Sequence, residues 1–178
     1  MPAADRYQQI VVAAMREFAR TGYSGTTTAH IASTIGVSQP YVMRLVRTKR
    51  DLFLAAFDHA CQTMEDLLRD AVGDLGAAAS AEARLDALRA AGYHGVLADR
   101  DLMGMMLHAF AAAGADEQVR DVVRVRYERL FATVAEVTGG SPAQVRDLMA
   151  VGLLWQVIAV LGAAGPSAER EWATPIPW

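Results

Sequence analysis

Gln39, Tyr41 and Arg44 lie within six residues of one another, and their side chains suit the reading of base edges. A glutamine amide can pair bidentately with adenine and an arginine fork with guanine. A tyrosine offers a hydroxyl together with apolar contact to a thymine methyl. Ser38 and Pro40, which open the same segment, belong to the same candidate surface. Around it stand groups suited to phosphate: Thr27 or Thr28 at the start of one helix, and Lys49 at the positive end of another. Arg47 and Arg50 flank Lys49. The charge distribution agrees. Residues 1–50 hold seven basic side chains against two acids, a net of +5, whereas the rest holds ten against eighteen, a net of −8. A basic segment on an otherwise acidic chain is the footprint of a polyanion partner.

The elements that must hold these residues are helices. Tyr7, Ile10, Val11, Ala14 and Phe18 recur at helical spacing between Asp5 and Thr21, with Gly22 as the stop. Thr26, Thr27 and Thr28 form a capping cluster before a short helix carrying Ile31, Ala32 and Ile35. Gly36 makes a tight turn, Ser38 caps a third helix running from Gln39 to about Val46, and Pro40 takes an early position that needs no N–H. This is the form of a helix-turn-helix: the turn sets the third helix across the second, so its polar head can enter a major groove. Thr48 is the expected cap of a long fourth helix over 49–75.

The remaining sequence also reads as helix, giving an all-α chain. The stretch 76–82 is the clearest break, and four further helices are expected over 82–97, 101–113, 117–138 and 142–164. The expected organisation is a helix-turn-helix head over 1–50, a helical body over 51–165, and a non-helical tail over 166–178 containing Trp172 and Trp178. After Asp147 the last helix carries no charged residue and is apolar all round. Such a helix needs burial on every side, which a dimer interface formed by Leu148, Val151, Gly152, Leu154, Trp155, Ile158 and Leu161 would supply; a central helix of the monomer is the alternative. Candidates for lining an effector pocket are the soft or polar residues inside apolar helices: Cys61, Met64, Tyr93, His94, Met103, Met105, Met106, His108, Phe110, Tyr127, Phe131 and Trp155. Plain core is the competing reading for each.

No phosphate loop follows a strand, no Gly-x-Ser-x-Gly or His-Glu-x-x-His is present, and Cys61 is the one cysteine. Neither catalysis, a cofactor nor a bound metal is expected. No uninterrupted apolar run reaches the ~18 residues of a membrane span, and the first residues lack a leader pattern, so a soluble, cytoplasmic protein without a membrane partner is expected.

From Arg6 to Phe57 the sequence resembles the DNA-binding domain of TetR-family transcriptional repressors. The matching positions are Arg6, Ile10, Ala14, Phe18, Gly22, Tyr23, Thr26, Thr27, Ile31, Ala32, Gly36, Val37, Ser38, Lys49, Leu52 and Phe53. The resemblance implies a homodimer whose two heads bind a palindromic operator, and a body that takes a small, hydrophobic effector and releases DNA. The long fourth helix, rooted in the head by Leu52 and Phe53 and in the body by Met64 and Leu68, is the expected lever between the two. One departure stands out. The family's Leu-Tyr-x-Tyr-Phe at the end of the recognition helix is replaced by Val42-Met43-Arg44-Leu45-Val46, which removes the usual aromatic phosphate contacts and leaves Arg44 to compensate as a phosphate or a guanine contact. Two alternatives remain open from the residues: a helical-bundle enzyme or carrier whose first helices are only structural, and a constitutive regulator without an effector.

Overall fold

The computed structural model describes residues 3–76, 78–94 and 99–163, with side chains 92–94 left aside. Within them the chain forms α1 (Ala3–Gly25), α2 (Thr28–Thr34), α3 (Gln39–Val46), α4 (Lys49–Gly73), α5 (Ala81–His94), α6 (Arg100–Ala115), α7 (Glu117–Thr138) and α8 (Pro142–Val160). The all-α expectation holds. The expected helix over 95–97 and the tail over 166–178 lie outside the described residues.

Packing divides the chain into two compact units. The first comprises Met1–Gln62 with Gly104–Arg126, and the second Thr63–Met103 with Tyr127–Trp178. The first unit thus groups α1, α2 and α3 with the start of α4 and with parts of α6 and α7.

In the first unit, Ile10, Ala14 and Phe18 of α1, Ile31 of α2, Val42 of α3 and Leu52, Phe53 and Phe57 of α4 are all fully buried. The Phe18 and Phe53 rings meet edge to face at 5.0 Å, and Tyr23 packs on Phe53 at 4.9 Å. Both ring pairs are geometries that aromatic quadrupoles favour. Gly22 interrupts α1 with φ 72 and ψ 177, and the helix resumes to Gly25, so the expected stop is a break inside the element. Thr26 ties the break down, donating from Oγ1 to the Gly22 carbonyl at 2.8 Å.

α6 rests on α1 at two glycines. A methyl on Gly104 would stand 2.8 Å from the Ala19 carbonyl oxygen, and one on Gly22 would stand 2.9 Å from His108 Nδ1. Gly104 has no room for a side chain against that backbone oxygen, and Gly22 needs its positive φ.

In the second unit, Val72, Leu85, Leu88, Val134, Val145 and Leu148 form the core, drawn from α4, α5, α7 and α8. Gly139, with φ 66, turns the chain between α7 and α8. α8 then opens on a reciprocal cap: the Ser141 hydroxyl accepts from Gln144 N–H, and the Gln144 side chain accepts from Ser141 N–H. α8 is the one described helix long and apolar enough to cross a membrane by length and composition, with a mean hydropathy of 1.3. Here it buries Val145, Leu148, Trp155, Gln156 and Ile158 within the fold.

Candidate nucleic-acid interface and effector cavity

Local capping sets up the head. The Thr27 side chain caps α2, accepting from His30 N–H at 3.1 Å, and its own hydroxyl proton remains available to donate. The next turn, at Gly36 with φ 68, leads to Ser38, whose hydroxyl accepts from Tyr41 N–H at 3.4 Å. Pro40 stands in the first turn of α3, where its missing N–H costs nothing. Thr48 and Asp51 cap α4 reciprocally, at 3.0 and 3.2 Å.

On this frame Gln39, Pro40 and Arg44 are exposed and Tyr41 is half-buried. Gln39 Nε2 donates to Thr28 Oγ1 at 2.9 Å, which fixes the amide against α2 and does not use its oxygen. The Arg44 guanidinium lies 5.1 Å from the Tyr41 ring centre. Stacking of this kind holds the fork in place without consuming its donors. Thr27 is exposed, whereas Thr28 is buried and engaged by Gln39, so of the two threonines Thr27 faces solvent.

Arg47 ends α3 with φ 60 and is exposed. Lys49 reaches back across the head: its Nζ sits 5.0 Å from the Tyr23 ring centre and 3.4 Å from the Ser24 carbonyl oxygen. These contacts bring its charge to the turn between α1 and α2. Arg50 turns away. It pairs with Asp116 at 2.9 Å and also donates to Gln118, which joins the start of α4 to the start of α7. Asp116 also accepts from Val119 and Gln118 N–H. Those backbone donors, Val119 foremost, and the Arg50 guanidinium hold its carboxyl below the ordinary 3.8, against an opposing contribution from desolvation. A second clasp of the same unit joins Arg126 to Asp58 at 2.7 Å.

The second unit contains a cavity of about 70 Å³. Met64 and Leu68 of α4, Leu88 of α5, Tyr127, Leu130 and Val134 of α7, and Leu148, Met149, Gly152, Trp155 and Gln156 of α8 line it. Burial pushes the Tyr127 phenol above its ordinary 10.0, so it stays neutral. Of the expected pocket residues, Met64, Tyr127 and Trp155 meet here. Cys61, Met105 and Met106 are instead fully buried core of the first unit, and Met103 is fully buried in the second without lining the cavity. His108 packs on Gly22, and Phe110 also belongs to the first unit. Phe131 packs against the core cluster of the second unit beside the cavity. The side chains of Tyr93 and His94 lie outside the described residues.

The expected interface residues of α8 separate by face. Leu148, Trp155 and Ile158 are buried inside the protomer, and Val151 and Gly152 are half-buried. Leu154 and Leu161 are exposed, together with Leu153, Val157 and Val160, which the apolar pattern alone does not distinguish. Among the described residues no group of three His, Cys, Asp or Glu side chains could hold a metal ion.

Comparison with known proteins places this geometry. Residues 10–56 match the profile of the bacterial regulatory proteins of the tetR family. A comparison with curated proteins finds no match. Among solved structures, a tetR-family transcriptional regulator from Mesorhizobium loti shares 20% identity at a TM-score of 0.72, over 97% of this chain and 92% of that one. A transcriptional regulator from Saccharomonospora viridis in complex with choline shares 22% at 0.69, over 92% and 88%. The regulator FadR from Bacillus subtilis in complex with stearoyl-CoA shares 13% at 0.72, over 94% and 91%. These likenesses show a shared all-helical fold. The helix-turn-helix of α2 and α3 lies inside the matched segment, so the head of this chain, residues 10–56, is a domain of the kind that bacterial regulatory proteins of the tetR family carry.

Proposed function

We propose that this protein is a ligand-responsive repressor that binds a palindromic operator as a homodimer, with α3 of each protomer in a major groove. The observation that carries the reading is the presentation of Gln39, Tyr41 and Arg44 on a capped helix. Lys49 and Thr27 stand beside it as phosphate contacts. The exposed stripe of Leu153, Leu154, Val157, Val160 and Leu161 supports α8 as the dimer contact, since a second copy would cover it. A two-fold dimer presents its recognition helices to half-sites roughly 34–36 Å apart.

The apolar cavity supports release by a small molecule. α4 is one continuous helix that carries Lys49 at its start and the cavity residues Met64 and Leu68 further along. A ligand that favours one setting of α4 shifts the population away from the spacing that fits DNA. Two neighbours of the same fold, one solved with choline and one with stearoyl-CoA, lend support to a ligand-binding role.

Arg44→Ala tests the reading. If Arg44 reads a base, operator affinity falls by about 1–3 kcal/mol and preference relaxes at one position. An equal loss on every sequence would make Arg44 a phosphate contact, and no loss at all would remove α3 from the interface.

A further inference from the structure

The cavity of the second unit has an uneven chemistry. Eight of its eleven lining residues are aliphatic, methionine or glycine, and the remaining three, Tyr127, Trp155 and Gln156, are uncharged. Among the described residues no carboxylate, guanidinium or ammonium lines it, so a charged ligand would lose its hydration there without gaining an opposite charge. The volume, about 70 Å³, lies well below the roughly 300–1,000 Å³ of pockets for drug-sized ligands. It holds at most a single small ring, with Met64 and Met149 as walls that adapt by rotation.

One lining residue is out of keeping. Gln156 is 6% exposed, and its Oε1 finds no hydrogen-bond partner among the described residues. A buried acceptor left unpaired is a standing penalty on the fold, relieved by any molecule that brings a donor to it. Leucine or methionine would fill the same volume without that penalty. Gln156 is thus an unpaired acceptor at the wall of an apolar chamber, and a ligand's donor meets it when the amide turns inward.

We propose that the cavity takes a compact, uncharged, mostly apolar molecule bearing one hydrogen-bond donor, such as a hydroxyl or N–H, and that Gln156 selects for that donor. The inference rests on reading the second unit as the effector-binding body. Trp155 and Tyr127 supply flat walls for a ring, and Gln156 fixes its orientation. Among the described residues a cation or an anion finds no counter-charge there.

Calorimetric titration of the full chain with phenol, toluene, anisole, tetramethylammonium and decanoate tests this. Phenol is expected to bind about tenfold more tightly than toluene, which matches its size, or anisole, which is one carbon larger, since neither carries a donor. Tetramethylammonium and decanoate are expected to bind more weakly than phenol. Gln156→Leu is expected to bind phenol and toluene equally and to unfold at a higher temperature than the wild type when unliganded. Its retained toluene binding would show an intact cavity, and Gln156→Met gives the same comparison if the leucine variant does not fold.

Equal binding of phenol and toluene by the wild type, tighter binding of either ion, or a surviving phenol preference in Gln156→Leu would overturn the proposal. A parallel gel shift separates the two readings. Phenol binding that leaves DNA retention unchanged supports the ligand class and removes the effector role. DNA release by a charged or long-chain compound, with no phenol binding, keeps regulation and overturns the class proposed here.

Discussion

Gly104→Ala tests whether α6 is seated on α1 as the geometry requires. In an open helical position, alanine in place of glycine stabilises by about 0.8–1.0 kcal/mol, because it restricts the unfolded chain and suits the helix. Gly104 is not open. Its new methyl would stand 2.8 Å from the Ala19 carbonyl oxygen and 3.4 Å from the Ala19 Cβ. The obstacle is backbone, so a helix must move, and overpacking of this kind costs about 1–3 kcal/mol. The propensity gain offsets part of that, leaving a net loss of about 1 kcal/mol. Gly114 provides an internal control on the same helix: it is exposed, and a methyl there meets nothing within 4 Å. Gly114→Ala should therefore stabilise by up to about 1 kcal/mol. Urea unfolding of both variants at unchanged slope reads the difference between them, which is expected to fall at about 1–3 kcal/mol. Equal stabilisation by both substitutions would refute the close approach of α6 to α1.

Three further outcomes concern the head, the clasp and α8. Lys49→Ala should weaken binding to every DNA sequence alike and reduce the slope of log affinity against log salt by about 1; an unchanged slope would contradict its phosphate role. Asp116 has a folded pKa below 3.8, so the stability it contributes is complete above that value and is lost as pH falls through the lowered one. The deficit in melting temperature of Asp116→Asn should accordingly hold steady above about pH 5 and close as the solution is acidified below 3.8, and a deficit that persists in acid would show that the charge is not its source. Leu154→Glu combined with Leu161→Glu places charge in the exposed stripe of α8 and should convert a dimer to monomers by analytical ultracentrifugation; a dimer that survives would move the interface elsewhere.

Local chemistry makes the head legible from its residues alone. Thr27, Ser38 and Thr48 each cap the helix their sequence position indicates, and Gly36 adopts the positive φ its turn demands. These outcomes depend on neighbours two to four residues away. Partners that lie far along the chain are not legible in this way. Nothing in the sequence around Arg50 points to Asp116, 66 residues on, and nothing around His108 points to Gly22.

The same limit divides the methionines. Helical spacing shows that Met64, Met105 and Met106 face inward, but not which interior they face, and only Met64 reaches the cavity. α8 is the hardest element. A helix apolar on every side has no phase, so its pattern cannot separate Leu148, Trp155 and Gln156 on the cavity side from Leu153, Leu154 and Leu161 on the open side. Gln156, the residue the ligand proposal turns on, carries a weak signal of its own as the one amide in the run from Leu148 to Val160.

Recognition of a palindrome by α3 is open to a decisive test: selection of bound fragments from the source genome by the purified full chain, followed by sequencing across a series of salt concentrations. Recognition of this kind requires a recovered motif with two-fold symmetry, half-sites spaced for successive major grooves, and an affinity that falls steeply with salt. Recovery of fragments without a shared motif, or retention that does not respond to salt, would contradict it.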